Sequence, residues 1–89
     1  MIPFADEDEA VRIANDTPYG LSGSIWTENG ARAMRVARAL RAGTIGINEF
    51  AVAPNAPFGG FKTSGLGREG GWPAIEAFTE LKTVFVGLS

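Results

Sequence analysis

Neither cysteine nor histidine occurs in this chain, and that double absence excludes more chemistry than any other property of the sequence. Without cysteine there is no disulfide and no thiolate nucleophile; without either residue, the usual zinc ligand sets and the neutral-pH imidazole base are gone. Hydroxyls and carboxylates remain with no evident activating partner, so these residues are not expected to catalyse a reaction by themselves. A surplus of positive charge is also missing. Eight lysines and arginines stand against ten acidic residues, a formal net charge of −2, which offers no basic field for nucleic acid. No window approaches the roughly 18 consecutive apolar residues of a membrane span, and Met1-Ile2-Pro3-Phe4 does not read as a signal peptide. A soluble, cytoplasmic location is the default, with neither nucleic acid nor membrane as a partner. What is present is a globular balance, 45% hydrophobic and 20% charged, in a length that buries only about 60 to 65% of its extended-chain surface.

Asp6 opens the first helix signal. Its carboxylate is placed to cap the first turn, Glu9 stands three residues on as in a capping box, and acids crowd the positive end of the helix dipole. The run Asp6-Glu7-Asp8-Glu9 therefore reads as a solvated first turn rather than a metal or acid–base site. Pro18 ends the helix near Asn15-Asp16-Thr17, because the residue before a proline is pushed out of the α region. Leu21 to Thr27 reads as a strand, with small residues at Ser22, Gly23 and Ser24 that let another element pack closely. Thr27 or Asn29 caps a second helix carrying an apolar stripe of Ala33, Met34, Ala37 and Leu40. Arg32, Arg35, Arg38 and Arg41 recur along it as a solvated or interface face; their drift around the helix and the lack of an aromatic platform argue against phosphate binding. Gly43 is placed as a left-handed cap for that helix, and Thr44 to Asn48 reads as a second, apolar strand. Strand, helix and strand in this order predict a βαβ unit with two parallel strands. Parallel sheets need helices on both faces, more than three short helices can supply, so the pattern predicts a piece of a larger α/β domain.

Glu49 to Pro57 leaves the carboxyl end of the second strand, where open α/β sheets build ligand sites. The glycine-dense stretch from Ala56 to Gly71 follows, and its density predicts a fixed, irregular connection. Two phosphate-loop readings fail there. Gly65-Leu66-Gly67-Arg68-Glu69-Gly70 satisfies G-x-G-x-x-G but lacks the strand that must precede it, and Lys62-Thr63 lacks the glycines of a P-loop, Phe61 standing where one is needed. Pro73 suits the first turn of a third helix in which Trp72, Ile75 and Phe78 share a face. Thr79 to Gly87 reads as a strand, and Leu81, Val84, Phe85 and Val86 make it too apolar for an exposed edge.

Three of these runs carry a family resemblance. Pro57-Phe58-Gly59-Gly60-Phe61-Lys62, continued by Ser64, Gly65, Gly67, Arg68, Glu69 and Gly71, resembles the C-terminal motif of the NAD(P)-dependent aldehyde dehydrogenase superfamily. Ala14-Asn15-Asp16-Thr17-Pro18-Tyr19-Gly20-Leu21 and Ala42-Gly43-Thr44-Ile45-Gly46-Ile47-Asn48 resemble two further motifs of that family, in the same order, and Phe78-Thr79-Glu80-Leu81-Lys82-Thr83-Val84 resembles its closing strand. The resemblance covers essentially the whole chain and corresponds to about the last fifth of a complete member.

The resemblance implies an α/β fold, the C-terminal part of the aldehyde dehydrogenase catalytic domain: a βαβ parallel-strand unit, a glycine-rich loop, a helix and a terminal oligomerisation strand. Residues 1–78 would belong to the catalytic domain and 79–89 to the oligomerisation strand. The activity implied is oxidation of an aldehyde to a carboxylic acid with NAD or NADP through a cysteine thiohemiacetal, with the nucleophile and the cofactor domain outside this sequence. The fragment alone is then expected to bind no cofactor. Phe58 matches a phenylalanine of the substrate tunnel, and Glu49, Phe50 and Ala51 fall where members vary the tunnel mouth. Asn48, Gly59, Gly60, Lys62, Ser64, Gly65, Gly67, Arg68 and Glu69 match structural positions of the motifs, with Lys62, Arg68 and Glu69 expected to tie loop to loop by charge-assisted hydrogen bonds. A small-molecule aldehyde is the expected substrate of the complete enzyme, and a second copy is the expected partner through Thr79–Gly87. The alternative is a non-catalytic binding or oligomerisation module derived from the same fold.

Overall fold

A computed structural model of the chain describes residues 1–49 and 52–88. The first helix, α1, runs Glu7–Asn15. Its cap forms as the sequence predicts: Asp6 Oδ1 accepts from the Glu9 amide at 2.8 Å, and the Glu9 carboxylate accepts from the Ala5 amide at 2.9 Å. The helix stops at Asn15, ahead of Pro18. Strand β1 (Ser22–Ile25), helix α2 (Gly30–Ala39) and strand β2 (Thr44–Ile47) follow. The two strands pair in parallel, Ser22 opposite Thr44 and Ile25 opposite Ile47, with α2 as the connection between them. Asn29 rather than Thr27 caps α2, accepting from the Arg32 amide at 3.0 Å. Thr27 supports the cap from one step back, its hydroxyl accepting from the Asn29 amide at 3.1 Å.

Beyond β2 the chain holds a short 3-10 turn, Lys62–Ser64, and a third helix, α3, Gly71–Glu76. Phe58 and Glu69 form an isolated antiparallel bridge that closes the glycine-rich loop between them.

Two expectations are corrected. Gly43 is not the left-handed cap of α2: that helix ends at Ala39, its cap residue Leu40 is extended, and Gly43 has no positive φ. Glycine is needed there because another backbone passes over it, and a Cβ on Gly43 would lie 1.6 Å from the Gly59 carbonyl oxygen. Trp72, Ile75 and Phe78 do not share a face of α3, since that helix ends at Glu76 ahead of Phe78, and all three side chains are exposed. Thr79 to Gly87 has no strand pairing among the described residues, and since a strand is defined by its ladder, the pairing expected for it with a second copy is left open by this chain alone.

The uncovered surface is large. Among the described residues Ala33 is the buried hydrophobic side chain, and the chain exposes 7342 Å² where a compact protein of its mass would expose about 5,000 Å². The radius of gyration is 18.5 Å and the longest dimension 72 Å, against a radius of about 12 Å for a compact domain of this length. Helices cover too little of the parallel pair, as parallel pairing requires, and the terminal segment projects away from it.

Candidate functional site

The site begins at the two ends of β2. At the carboxyl end stands Asn48, with φ 55, a left-handed conformation that asparagine tolerates better than most side chains. Its amide N–H donates to the Ile25 carbonyl at 2.8 Å. Its side chain then imitates a peptide group: Oδ1 accepts from the Thr27 amide at 2.8 Å and Nδ2 donates to the Thr27 carbonyl at 2.9 Å. The parallel ladder is thereby extended one step past β1 while the main chain turns away towards Glu49, which is exposed. Phe50 and Ala51, the other candidates for the tunnel mouth, lie outside the described residues.

At the amino end of β2 three backbones converge. The Gly20 carbonyl accepts from the Gly43 amide at 3.1 Å and from the Phe61 amide at 2.7 Å, and the Gly20 amide donates to Ser64 Oγ at 2.8 Å. Gly20 and Gly60 are buried, and neither has room for a side chain: a Cβ on Gly20 would meet the Arg41 carbonyl at 2.5 Å, and one on Gly60 would meet the Ser64 side chain at 2.3 Å. Thr63 adds its amide and its hydroxyl, both donating to the Pro18 carbonyl. Neighbouring this junction is Phe58, half-buried, whose amide donates to the Glu69 carbonyl at 2.6 Å and whose carbonyl accepts from the Glu69 amide at 2.7 Å.

The charged residues of the loop act differently from one another. Lys62 Nζ donates to the Asn15 carbonyl at 2.9 Å and the Thr17 carbonyl at 3.1 Å, placing a cation at the negative end of α1. Arg68 Nη1 donates to the carbonyls of Gly60 and Gly67, both at 2.9 Å, and so joins the two arms of the loop. Glu69 contributes through its backbone; among the described residues its carboxylate has no hydrogen-bond partner. The Phe61 ring lies between two guanidinium groups, Arg41 at 5.9 Å and Arg68 at 5.6 Å from its centroid, within the range of a cation–π attraction. Gly65 takes φ 131 just after the 3-10 turn, whereas Gly67 is in open space.

Two contributors were not read from the sequence. Asn15 closes α1 against α2, its Nδ2 donating to the Ala39 carbonyl at 3.0 Å and its Oδ1 accepting from the Arg41 amide at 2.8 Å. A lone asparagine at a helix end carries no signal of a tertiary partner 24 residues away. Glu7, expected to be solvated, instead accepts two hydrogen bonds from Arg35 at 3.0 and 2.9 Å and lies 3.4 Å from Arg32. The Arg35 hydrogen bonds hold the Glu7 carboxyl below the ordinary carboxylate range and raise Arg35 in turn. The arginine face of α2 is thus partly an interhelical face.

Gly65 to Gly70 does not form a dinucleotide cradle. A 3-10 turn precedes it instead of a strand, and Glu69, inside it, is held in the bridge to Phe58. A cleft of about 530 Å³ between α1 and β1 is walled by Phe4, Ala10, Val11, Ile25, Trp26 and Val36. Its charged rim, Glu7 and Arg32, is already paired, so the cleft is an uncovered packing face. No helix of the described residues is long and apolar enough to cross a membrane.

The aldehyde dehydrogenase family model matches residues 1–84. A 2-hydroxymuconic semialdehyde dehydrogenase from Pseudomonas sp. is 51% identical over 97% of this chain and 18% of its own length. A betaine aldehyde dehydrogenase from Rhizobium leguminosarum is 48% identical over 99% of this chain and 18% of its own. The crystal structure of a Mycobacterium tuberculosis aldehyde dehydrogenase complexed with NAD+ superposes with a TM-score of 0.92 at 45% identity, covering 97% of this chain and 18% of that one. The chain belongs to the aldehyde dehydrogenase family, and it spans about a fifth of the length of the relatives it matches.

Proposed function

We propose that residues 1–78 are the C-terminal part of the catalytic domain of an enzyme that oxidises an aldehyde to its carboxylic acid with NAD+ or NADP+, and that 79–89 is its oligomerisation strand. The observation that carries this is the pinning of the Phe58 loop. Phe58, Phe61 to Ser64 and Arg68 to Glu69 are tied to the end of α1, to the turn that leads into β1 or to the loop's own other arm, which is how a substrate-positioning aromatic has to be held. The cysteine nucleophile lies in another part of the enzyme, because these residues contain none. Phe58 walls the inner end of the aldehyde tunnel, holding the carbonyl in attack geometry and excluding water. Glu49 belongs to the mouth, where members of the family vary. Gly59 rests against Gly43, before the amino end of β2, and Glu49 follows the carboxyl end of that strand.

The likeness to the mycobacterial enzyme extends over 97% of the chain, which supports reading the projecting terminal segment as part of the family shape. The test is kinetic. A full-length relative carrying residues 1–89 in place of its own segment oxidises short aldehydes with formation of NAD(P)H, and the isolated 89 residues do not. Phe58→Ala in the exchanged enzyme lowers kcat/KM for the aldehyde by on the order of 1 to 3 kcal/mol of transition-state stabilisation, with cofactor affinity nearly intact. Turnover by the isolated chain, or unchanged kinetics in Phe58→Ala, contradicts this assignment.

A further inference from the structure

The geometry points to Lys62 as a positioning residue that sets where Phe58 stands in the aldehyde tunnel, an inference that rests on the tunnel assignment above. Lys62 has φ 54, a backbone conformation that glycine adopts freely and lysine does not. Glycines are abundant on both sides of it, so a lysine at this position is held there by its side chain. That side chain crosses to the end of α1 and donates to the carbonyls of Asn15 and Thr17 at 2.9 and 3.1 Å. Both carbonyls lie at or just past the end of α1, where the helix dipole attracts a cation, and the Asn15 carbonyl accepts from the Thr17 amide at 2.9 Å as well. The ammonium bonds and the left-handed turn are two parts of one device: the first compensates the strain of the second, as at other strained functional positions.

The strain reaches Phe58 through contacts with no slack. The loop is closed at its neck by the Phe58–Glu69 bridge, Gly59 is packed on Gly43 and Gly60 on Ser64 without room for a β-carbon, and the Phe61 amide is fixed to Gly20 at 2.7 Å. The Thr63–Pro18 and Ser64–Gly20 bonds hold the chain after Lys62, so a change in the turn at Lys62 is passed to the Phe61, Gly60 and Gly59 contacts before it and through them to Phe58. Lys62 is itself exposed and touches no reacting atom; it acts on the aldehyde only through the aromatic wall.

The experiment uses the full-length relative carrying residues 1–89. Lys62→Met is expected to raise the aldehyde KM by about tenfold while the NAD+ KM stays within about twofold, because small misplacements of a positioning group are costly in rate and binding. Lys62→Arg, which can donate to both carbonyls, restores the parent value. Lys62→Gly falls between them, since it loses the ammonium but relieves the left-handed strain, and it carries the test by itself where Lys62→Met does not fold. An aldehyde KM unchanged in Lys62→Met and Lys62→Gly overturns the inference, as does a fall in kcat with both KM values unchanged, the signature of lost folded enzyme. An exchanged enzyme with no activity before any substitution sinks the tunnel assignment and this inference together. An active one that is indifferent to Lys62 sinks the inference alone.

Discussion

Two stretches of this chain lie outside long helices and outside the sheet, and they behave in opposite ways. The loop from Phe58 to Glu69 is held at many points: a bridge at its neck, a side chain from Ser64 to the Gly20 amide, a cation on the end of α1 and a guanidinium across its arms. The segment from Glu80 to Leu88 has no hydrogen-bond partner among the described residues, and Leu81, Phe85 and Leu88 expose more than 90% of their surface. The glycine-rich loop, irregular by composition, is the ordered one, and the β-rich apolar segment, regular by composition, is the one with nothing beside it. Irregular backbone is stable wherever each polar group finds a partner, whereas a strand is stable only when another strand completes it. The first condition is met within this chain; the second is not met among the described residues.

The largest effect expected from this contrast is on association. The isolated chain should self-associate at tens of micromolar, and removal of residues 79–89 should abolish it; burying Leu81, Val84, Phe85 and Val86 represents on the order of 6 to 12 kcal/mol of apolar transfer before the entropy of association is subtracted. Sedimentation of the two lengths decides the matter, and a well-folded monomer of the full 89 residues would end the partner-strand reading. Next comes the anchored loop. Gly43→Ala drives a methyl group into the Gly59 carbonyl and should cost about 3 kcal/mol or more, whereas Gly30→Ala, with nothing within 4 Å, should gain about 0.5 kcal/mol from helix propensity. Thermal midpoints of the two variants in a full-length relative carrying this segment should therefore move in opposite directions, and a shared direction would show that the loop is not held at Gly43.

The smallest expected effect concerns the salt link between α1 and α2. Because Arg35 lowers the Glu7 carboxyl, its contribution is complete above the ordinary carboxylate range and is lost as pH falls through the lowered folded-state value. Both groups are exposed, so the loss should be slight. A carboxyl titration by NMR should find Glu7 below the ordinary carboxylate value, and Arg35→Gln should raise it, with Arg32 still holding part of the shift. A Glu7 that titrates at the ordinary value would place this link on the solvated surface.

Much of this architecture is legible in the residues themselves. The Asp6–Glu9 cap, the stop before Pro18, the Asn29 cap and the strand–helix–strand order are local decisions, made by side chains within four residues of the backbone they act on. The family motifs are equally local, and they carry the class of chemistry and the candidacy of Phe58. Tertiary structure alone decided the rest. Gly43 reads as a helix cap because glycine's freedom is the nearest explanation, but its reason is the approach of Gly59 from elsewhere in the chain. Lys62 reads as a tie between loops, but that its partner is the end of α1 appears only in the folded chain, and Asn15 reads as a helix end until Ala39 and Arg41 arrive at its side chain. Sequence records what each residue can do near itself. Which distant backbone needs it is fixed only when the parallel strands pair and bring the turns at their ends together.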